Sequence, residues 1–250
     1  MEQKWVFITG SNRGIGESIL RKFVSNGYAV YAHARAQTEE FEIKVSELRE
    51  QDGKEIRPVY FDLTDSRAME REMKDIINQK GRIDVLINNA GVMCTGLFQM
   101  MEMQTIRETF DVNLFSAMNL TQWVLKLMVR QKKGNIVNIT SIAGLDLGSG
   151  MCAYGVSKAA MSAFTKVLST ELNYYGIRVN AVAPGMTNTQ MILKDSIQNE
   201  KELLKNKKGK FSRLAEKEEI ADVVYFLSSE EASFINGQII RVDGGNKLVF

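Results

Sequence analysis

The stretch Trp5-Val6-Phe7-Ile8-Thr9-Gly10-Ser11-Asn12-Arg13-Gly14-Ile15-Gly16 decides the fold. Its first five residues are aromatic or β-branched, the composition of a buried strand. Three glycines follow at once in the spacing G-x-x-x-G-x-G, and a helical apolar pattern runs from Ile15 to Asn26. Glycines at a strand-to-helix turn let the backbone close up on a bound group. The free N–H groups of the helix start behind them attract negative charge. The order strand, glycine turn, helix therefore reads as a cradle for a pyrophosphate. The spacing differs from the general G-x-G-x-x-G dinucleotide fingerprint, so the strand-turn-helix context carries the reading. Without a ligand, the same turn would only pack helix on sheet.

Outward from that corner, short β-branched runs alternate with longer amphipathic ones. Strands are expected at Trp5–Thr9, Ala29–His33, Ile56–Phe61, Val85–Ile87, Asn135–Thr140, Arg178–Val182 and Gln238–Val242. Helices are expected at Ile15–Asn26, Glu39–Glu50, Ser66–Gln79, Ile106–Val129, Ala153–Tyr174 and Lys217–Leu227. This alternation predicts an α/β fold: a single-domain, Rossmann-type, doubly wound parallel sheet with helices on both faces. There is no repeat, no low-complexity segment and no Pro/Ser-rich linker, and the only prolines are Pro58 and Pro184. One domain over residues 1–250 is expected. The rhythm breaks at Met186–Arg213, a Lys- and Asn-rich insertion that reads as a substrate lid or as solvated surface helices.

Composition excludes several classes of function. The chain of 250 residues is 44% hydrophobic and 25% charged, enough for one large core, and its net charge of +2 gives no nucleic-acid footprint. Cys94 and Cys152 form no CxxC pair, and His33 is the sole histidine, so no metal site is expected. Trp5–Thr9 is too short for a signal-peptide core or a membrane span. No membrane association and a cytoplasmic location are expected.

The end of the second strand bears on the type of dinucleotide. An NAD site usually places a carboxylate there for the ribose 2′-OH. This chain reads Tyr31-Ala32-His33-Ala34-Arg35, with Ala34 at the carboxylate position. Arg35, together with Arg13 from the glycine turn, suits a 2′-phosphate and favours NADP(H) over NAD(H). Alternatively, Arg35 begins a solvated loop.

Tyr154 and Lys158 stand four apart at the start of a helical pattern, about 6 Å apart along one face. A nearby ammonium favours the phenolate and brings a phenol toward the working pH range. Ser141 closes the Asn135–Thr140 strand, at the carboxyl edge where parallel sheets bind ligands. Its hydroxyl can hold a substrate oxygen against Tyr154; read alone, it could be a helix cap.

With these motifs in hand, the chain resembles the short-chain dehydrogenase/reductase family, and most closely the 3-oxoacyl-[acyl-carrier-protein] reductase type. The resemblance spans nearly the whole chain. It rests on Thr9–Gly16, Asp62, Asn88-Asn89-Ala90-Gly91, Asn113, Ser141, Tyr154-Gly155-Val156-Ser157-Lys158, Pro184-Gly185 and Asp243-Gly244-Gly245. It implies that Gly10, Ser11, Asn12, Arg13, Gly14, Ile15 and Gly16 bind the cofactor. Asp62 with Leu63 would take the adenine, and Asn89, Ala90 and Gly91 would line the cleft. The resemblance makes Asn113, Ser141, Tyr154 and Lys158 a catalytic tetrad. Tyr154 would give its proton to a carbonyl as hydride arrives, and Lys158 would lower the tyrosine pKa and hold the ribose hydroxyls. Ser141 would orient the carbonyl, and Asn113 would fix a water relaying protons from Lys158. Pro184, Gly185, Thr187 and Thr189 would lie near the nicotinamide. The same resemblance implies a homotetramer and a lid over Met186–Arg213 that is mobile without ligand.

The substrate is less determined. Lys132 and Lys133 are plausible contacts for an acyl carrier protein, but Tyr175 stands where the resemblance implies a second basic residue; Lys201–Lys210 could substitute. A 3-oxoacyl thioester is expected, with a free ketone, sugar or steroid as the alternative. A catalytically silent nucleotide-sensing module and a sugar-nucleotide epimerase are weaker readings. A silent module needs no activated phenol, and the glycine spacing and missing C-terminal substrate domain oppose the epimerase. Met93, Met100, Met101 and Met103 read as gap-filling core residues, and Met93 and Met151 are candidates for an apolar substrate pocket.

Overall fold

Val6, Phe7 and Ile8 have no exposed surface, because strand β1 (Trp5–Ile8) lies inside a sheet covered on both faces. The computed structural model describes residues 2–79, 81–189, 211 and 213–245. The other strands are β2 (Ala29–Ala34), β3 (Ile56–Tyr60), β4 (Val85–Asn88), β5 (Gly134–Ile139), β6 (Ile177–Pro184) and β7 (Ile239–Val242). Their order is β3-β2-β1-β4-β5-β6-β7, every neighbouring pair parallel. The chain winds outward from β1 in one direction, then crosses to β4 and winds the other way. The carboxyl ends of β1 and β4 therefore flank a crevice at the switch point, where such sheets take ligands.

The helices are α1 (Gly14–Ser25), α2 (Glu39–Asp52), α3 (Ser66–Asn78), α4 (Met103–Phe110), α5 (Ser116–Gln131), α6 (Ala143–Asp146), α7 (Cys152–Glu171) and α8 (Lys217–Ser228). One apolar layer packs Leu20 and Phe23 of α1, Phe41 of α2 and Val224 of α8 against the sheet. The opposite layer uses Met69 and Met73 of α3, Leu120 and Val124 of α5 and Leu168 of α7. Local signals set the starts: Thr38 caps α2, Asp65 caps α3, and Glu216 with Glu219 closes a capping box on α8. No helix among the described residues is long and apolar enough to cross a membrane.

Each expected strand and helix is present, with ends shifted by a few residues, and two expectations need correction. Ile106–Val129 is not one α-helix: a π turn over Asp111–Phe115 separates α4 from α5. Met100 and Met103 are not core residues either; they are exposed, on a turn and a helix start beyond the carboxyl edge of the sheet. Of the expected lid over 186–213, residues 190–210 and 212 lie outside the described residues, as does Lys201–Lys210.

Candidate active site

The glycine turn leaves β1 with Gly10 and Gly14 in left-handed backbone conformations, φ +64° and +59°. Side chains are strained there, whereas glycine is not. Gly16 answers a different need, since a Cβ on it would drive into the Gly10 carbonyl oxygen. Arg13, extended and exposed, precedes α1, and no side chain caps the first N–H groups of that helix. A cradle that a Cβ would fill, facing an uncapped helix start, fits a pyrophosphate. Ile15 is partly buried behind it, and Thr189 reaches the same turn: a Cβ on Gly14 would lie 3.7 Å from Thr189 Cγ2.

Neighbouring strands hold the turn rigid. Thr9 Oγ1 accepts from the amides of Asn89 and Ala90 at 2.9 and 3.0 Å. Asn89 Nδ2 donates to the Thr9 and Gly10 carbonyls at 2.8 and 3.2 Å. The side chain of Asn89 is thus spent on bracing the turn. Ser11 is buried, and its hydroxyl donates to the His33 carbonyl at 3.0 Å. The Asn12 carbonyl accepts from Lys44 Nζ.

At the ends of β2 and β3, Ala34 is buried while Arg35 is 85% exposed. Arg35 Nε pairs with Asp62 Oδ2 at 2.9 Å, which joins the arginine expected at a 2′-phosphate to the acid expected at the adenine. Asp62 is held below its ordinary pKa, first by the hydroxyl and amide of Thr64 and then by Arg35. Such an exposed pair is worth about 1 kcal/mol or less, so a ligand phosphate could exchange for it. Leu63 beside it is partly buried against the α3–α5 layer.

The second half of the site gathers at the end of β5. Ser141 is buried, and its Oγ accepts from the Ala143 amide at 3.1 Å. Burial raises the Tyr154 pKa, and a hydrogen bond with Ser141 pulls it down. Lys158 Nζ donates to the Ile139 carbonyl at 2.9 Å and lies 6.0 Å from the centre of the Tyr154 ring. Burial alone lowers the Lys158 pKa, to about 8. The net direction for the phenol is upward, against the lowering expected from Lys158. The ammonium donates to a strand-end carbonyl, and a hydrogen bond with Ser141 favours the phenolate.

Asn113 sits inside the π turn. Its Nδ2 donates to the Val92 carbonyl at 2.9 Å and to Ser157 Oγ at 3.0 Å, and its Oδ1 accepts from the Val92 amide at 2.8 Å. Gly91 separates Asn113 from Lys158: a Cβ there would lie 3.1 Å from Asn113 Oδ1 and 3.2 Å from Lys158 Nζ. Ser157 also donates to the Tyr154 carbonyl at 2.7 Å within its own helix, and its bond from Asn113 joins α7 to the π turn. Neither the π turn nor Ser157 was marked by sequence reasoning. The signal for Ser157 was its place within the Tyr154–Lys158 motif, one residue before the lysine.

Pro184 ends β6, and Gly185 follows where a Cβ would meet the Asp243 backbone at 2.8 Å. Thr187 is buried, with its hydroxyl on the Gly185 carbonyl. A cavity of about 460 Å³ lies at the start of α7, with Leu97, Phe98, Leu147, Met151 and Val156 in its wall. Cys94 and Cys152 are free thiols, and no metal-binding group of acidic, His or Cys side chains exists among the described residues.

Residues 4–200 match the model of a family described as short chain dehydrogenase. The chain is 35% identical to a 3-oxoacyl-[acyl-carrier-protein] reductase of Thermotoga maritima, over 98% of each chain. It is 34% identical to a 7alpha-hydroxysteroid dehydrogenase of Bacteroides fragilis, over 98% of this chain and 94% of the relative. Among solved structures, a 3-oxoacyl-[acyl-carrier protein] reductase from Brucella melitensis superposes with a TM-score of 0.89 at 31% identity, over 99% and 92% of the two chains.

Proposed function

Because the chain belongs to the short-chain dehydrogenase family, oxidoreductases acting on CH–OH and C=O groups, we propose that it reduces a carbonyl to a secondary alcohol with NADPH, its substrate a 3-oxoacyl thioester. The observation that carries this reading is the meeting of Ser141 and Tyr154, beside Lys158, at the carboxyl end of β5. When bound, the nicotinamide supplies the hydride. Gly10, Ser11, Asn12, Gly14, Ile15 and Gly16 hold the pyrophosphate on the start of α1. Arg13 and Arg35 take the 2′-phosphate, Arg35 leaving Asp62 to do so, and Asp62 with Leu63 borders the adenine. Asn89, Ala90 and Gly91 form the cleft wall.

Ser141 orients the substrate oxygen by a hydrogen bond. Tyr154, kept protonated at neutral pH by burial, gives its proton to that oxygen. Lys158 holds the ribose hydroxyls and supplies positive charge as the phenolate forms. Asn113 anchors a water that returns a proton to Lys158, and Pro184, Gly185, Thr187 and Thr189 border the nicotinamide. Residues 186–213 act as the lid of a single domain, and the working form is a cytoplasmic homotetramer.

A second reading, a free apolar ketone or steroid, draws on two observations. The cavity beside the site has no charged side chain in its wall. Lys133, a candidate contact for a carrier protein, is already paired with Glu230 at 2.8 Å. The test is NADPH oxidation with an acetoacetyl thioester, a carrier-protein thioester, a diketone and an oxosteroid. Faster turnover of the thioesters supports the first reading; turnover of the ketone alone supports the second. No NADPH oxidation with any of them would overturn both.

A further inference from the structure

The one histidine of the chain lies where neither the fold nor the catalytic reading asks for it. His33 is 2% exposed, near the end of β2, with its ring between Phe7 and Phe61 at centroid distances of 6.4 and 4.4 Å. A polar ring in an apolar layer is costly unless both nitrogens are paired. Both are. The Gly10 amide donates to Nδ1 at 3.3 Å, and Nε2 lies 2.9 Å from the Phe61 carbonyl oxygen. A carbonyl can only accept and an amide N–H can only donate, so the geometry requires a neutral imidazole with its proton on Nε2. The backbone of the same residue adds two bonds, since the His33 carbonyl accepts from the Ser11 amide at 2.9 Å and from its hydroxyl at 3.0 Å.

One residue therefore holds two consecutive positions of the glycine turn and the peptide group that leads into Asp62. Gly10 lies past the end of β1, so its amide is outside the strand ladder and is satisfied by the imidazole instead. The Phe61 carbonyl belongs to the Phe61–Asp62 peptide, so its direction sets where the Asp62 side chain begins. The turn after β1 and the turn after β3 are the phosphate and adenine ends of the proposed cleft, and the imidazole is a crosspiece between them. Ser141, Tyr154 and Lys158 lie at β5, across β1 and β4 in the sheet order.

We propose that His33 is a positioning residue for the dinucleotide: its neutral imidazole ties the phosphate turn at Gly10 to the adenine turn at Phe61–Asp62, and so sets cofactor affinity rather than turnover. The proposal rests on the reading of this cleft as an NADP(H) site.

Two measurements test it. Tag-free, 15N-labelled protein contains a single imidazole, so its two ring nitrogens are read by NMR without altering the chain. The Nε2–H tautomer is expected at neutral pH, free and with NADPH; the Nδ1–H tautomer or a charged ring would overturn the proposal. That measurement stands even where a variant fails to fold. Second, His33→Phe keeps the ring packing and loses both bonds, whereas His33→Asn restores an acceptor toward Gly10. The Phe variant should weaken NADPH binding about tenfold or more, with kcat at saturating NADPH and substrate changed less than about twofold, as two lost hydrogen bonds predict. The Asn variant should recover part of that loss. Unchanged affinity in the Phe variant, a kcat loss as steep as the affinity loss, or no rescue by Asn would reduce His33 to a packing residue. Unaltered protein that binds no NADPH would instead overturn the functional reading, and this one with it.

Discussion

Lys158 Nζ lies 2.9 Å from the carbonyl oxygen of Ile139, the last residue of β5, so the strand end itself anchors the buried amine. Among the described residues, that bond is what offsets the burial of a cation whose pKa burial lowers to about 8. Active-site charge held at a cost to folding is a recurrent bargain in enzymes.

Replacing Lys158 by Met should therefore leave stability unchanged or raise it, while turnover falls at least about a hundredfold. The sign with pH follows from linkage. The unfolded lysine titrates near 10.5 and the folded one about 8, so the unfolded chain binds more protons between those values and wild-type stability rises across that window. The stability advantage of the Met variant should shrink by as much as about 3 kcal/mol between pH 8 and 10.5, measured by denaturant unfolding of both proteins. An advantage that stays constant across the window would show that Lys158 titrates normally.

Tyr154→Phe should remove nearly all reduction while NADPH affinity stays largely intact. Burial raises the phenol pKa against the pull of Ser141, so the acid form needed for reduction persists at neutral pH. Alcohol oxidation needs the phenolate and should accelerate as pH rises. Ser141→Ala removes a hydrogen bond that lowers that pKa, so its oxidation profile should move to higher pH. A profile that does not move would separate Ser141 from the phenol.

Arg35→Asp should shift cofactor preference from NADPH toward NADH, read as the ratio of kcat/KM values. The substitution removes the partner of Asp62 and places two carboxylates together where a phosphate would lie. An unchanged ratio would show that Arg35 serves only Asp62.

His33 makes an acid-stability prediction of its own. Burial depresses its pKa to about 4, and the Phe61 carbonyl and the Asp62 charge only partly oppose that effect. The unfolded imidazole titrates near 6.5, so the unfolded chain binds more protons between pH 6.5 and 4. Wild-type stability should therefore fall as pH drops through that range, by as much as about 3 kcal/mol. Unfolding of His33→Phe, measured in parallel, should lack this part of the slope; parallel curves would refute the assignment.

Much of this was legible in sequence because it is written locally. The glycine turn, the β-branched runs and the four-residue spacing of Tyr154 and Lys158 all act through nearest neighbours or one helical turn. What escaped depends on partners far along the chain. Arg35 and Asp62 could be named singly, but their ion pair forms only when β3 docks beside β2. Asn89 could be placed in the cleft, yet its commitment to Thr9 and Gly10 arises only when β4 docks beside β1. His33 read as an excluded metal ligand, since nothing in the stretch Tyr31–Arg35 announces contacts to Gly10 and Phe61. The methionines of the segment 93–103 looked like core by composition, and only the sheet edge decides that Met100 and Met103 stand outside it.

The π turn at Asp111–Phe115 has a consequence for how this chain could change. Such a turn accommodates one residue more than an α turn, and each residue advances a helix by about 100°. Deleting a single residue there would turn the π turn into an ordinary α turn. Because the shorter turn still closes one revolution, Leu120, Val124 and Leu127 would keep their face toward the sheet they now cover, while the contacts of Asn113 with Val92 and Ser157 would be lost. The bulge and the hydrophobic register of α5 are thus separable, so an in-frame loss at this point would spare the scaffold while removing the seat of Asn113.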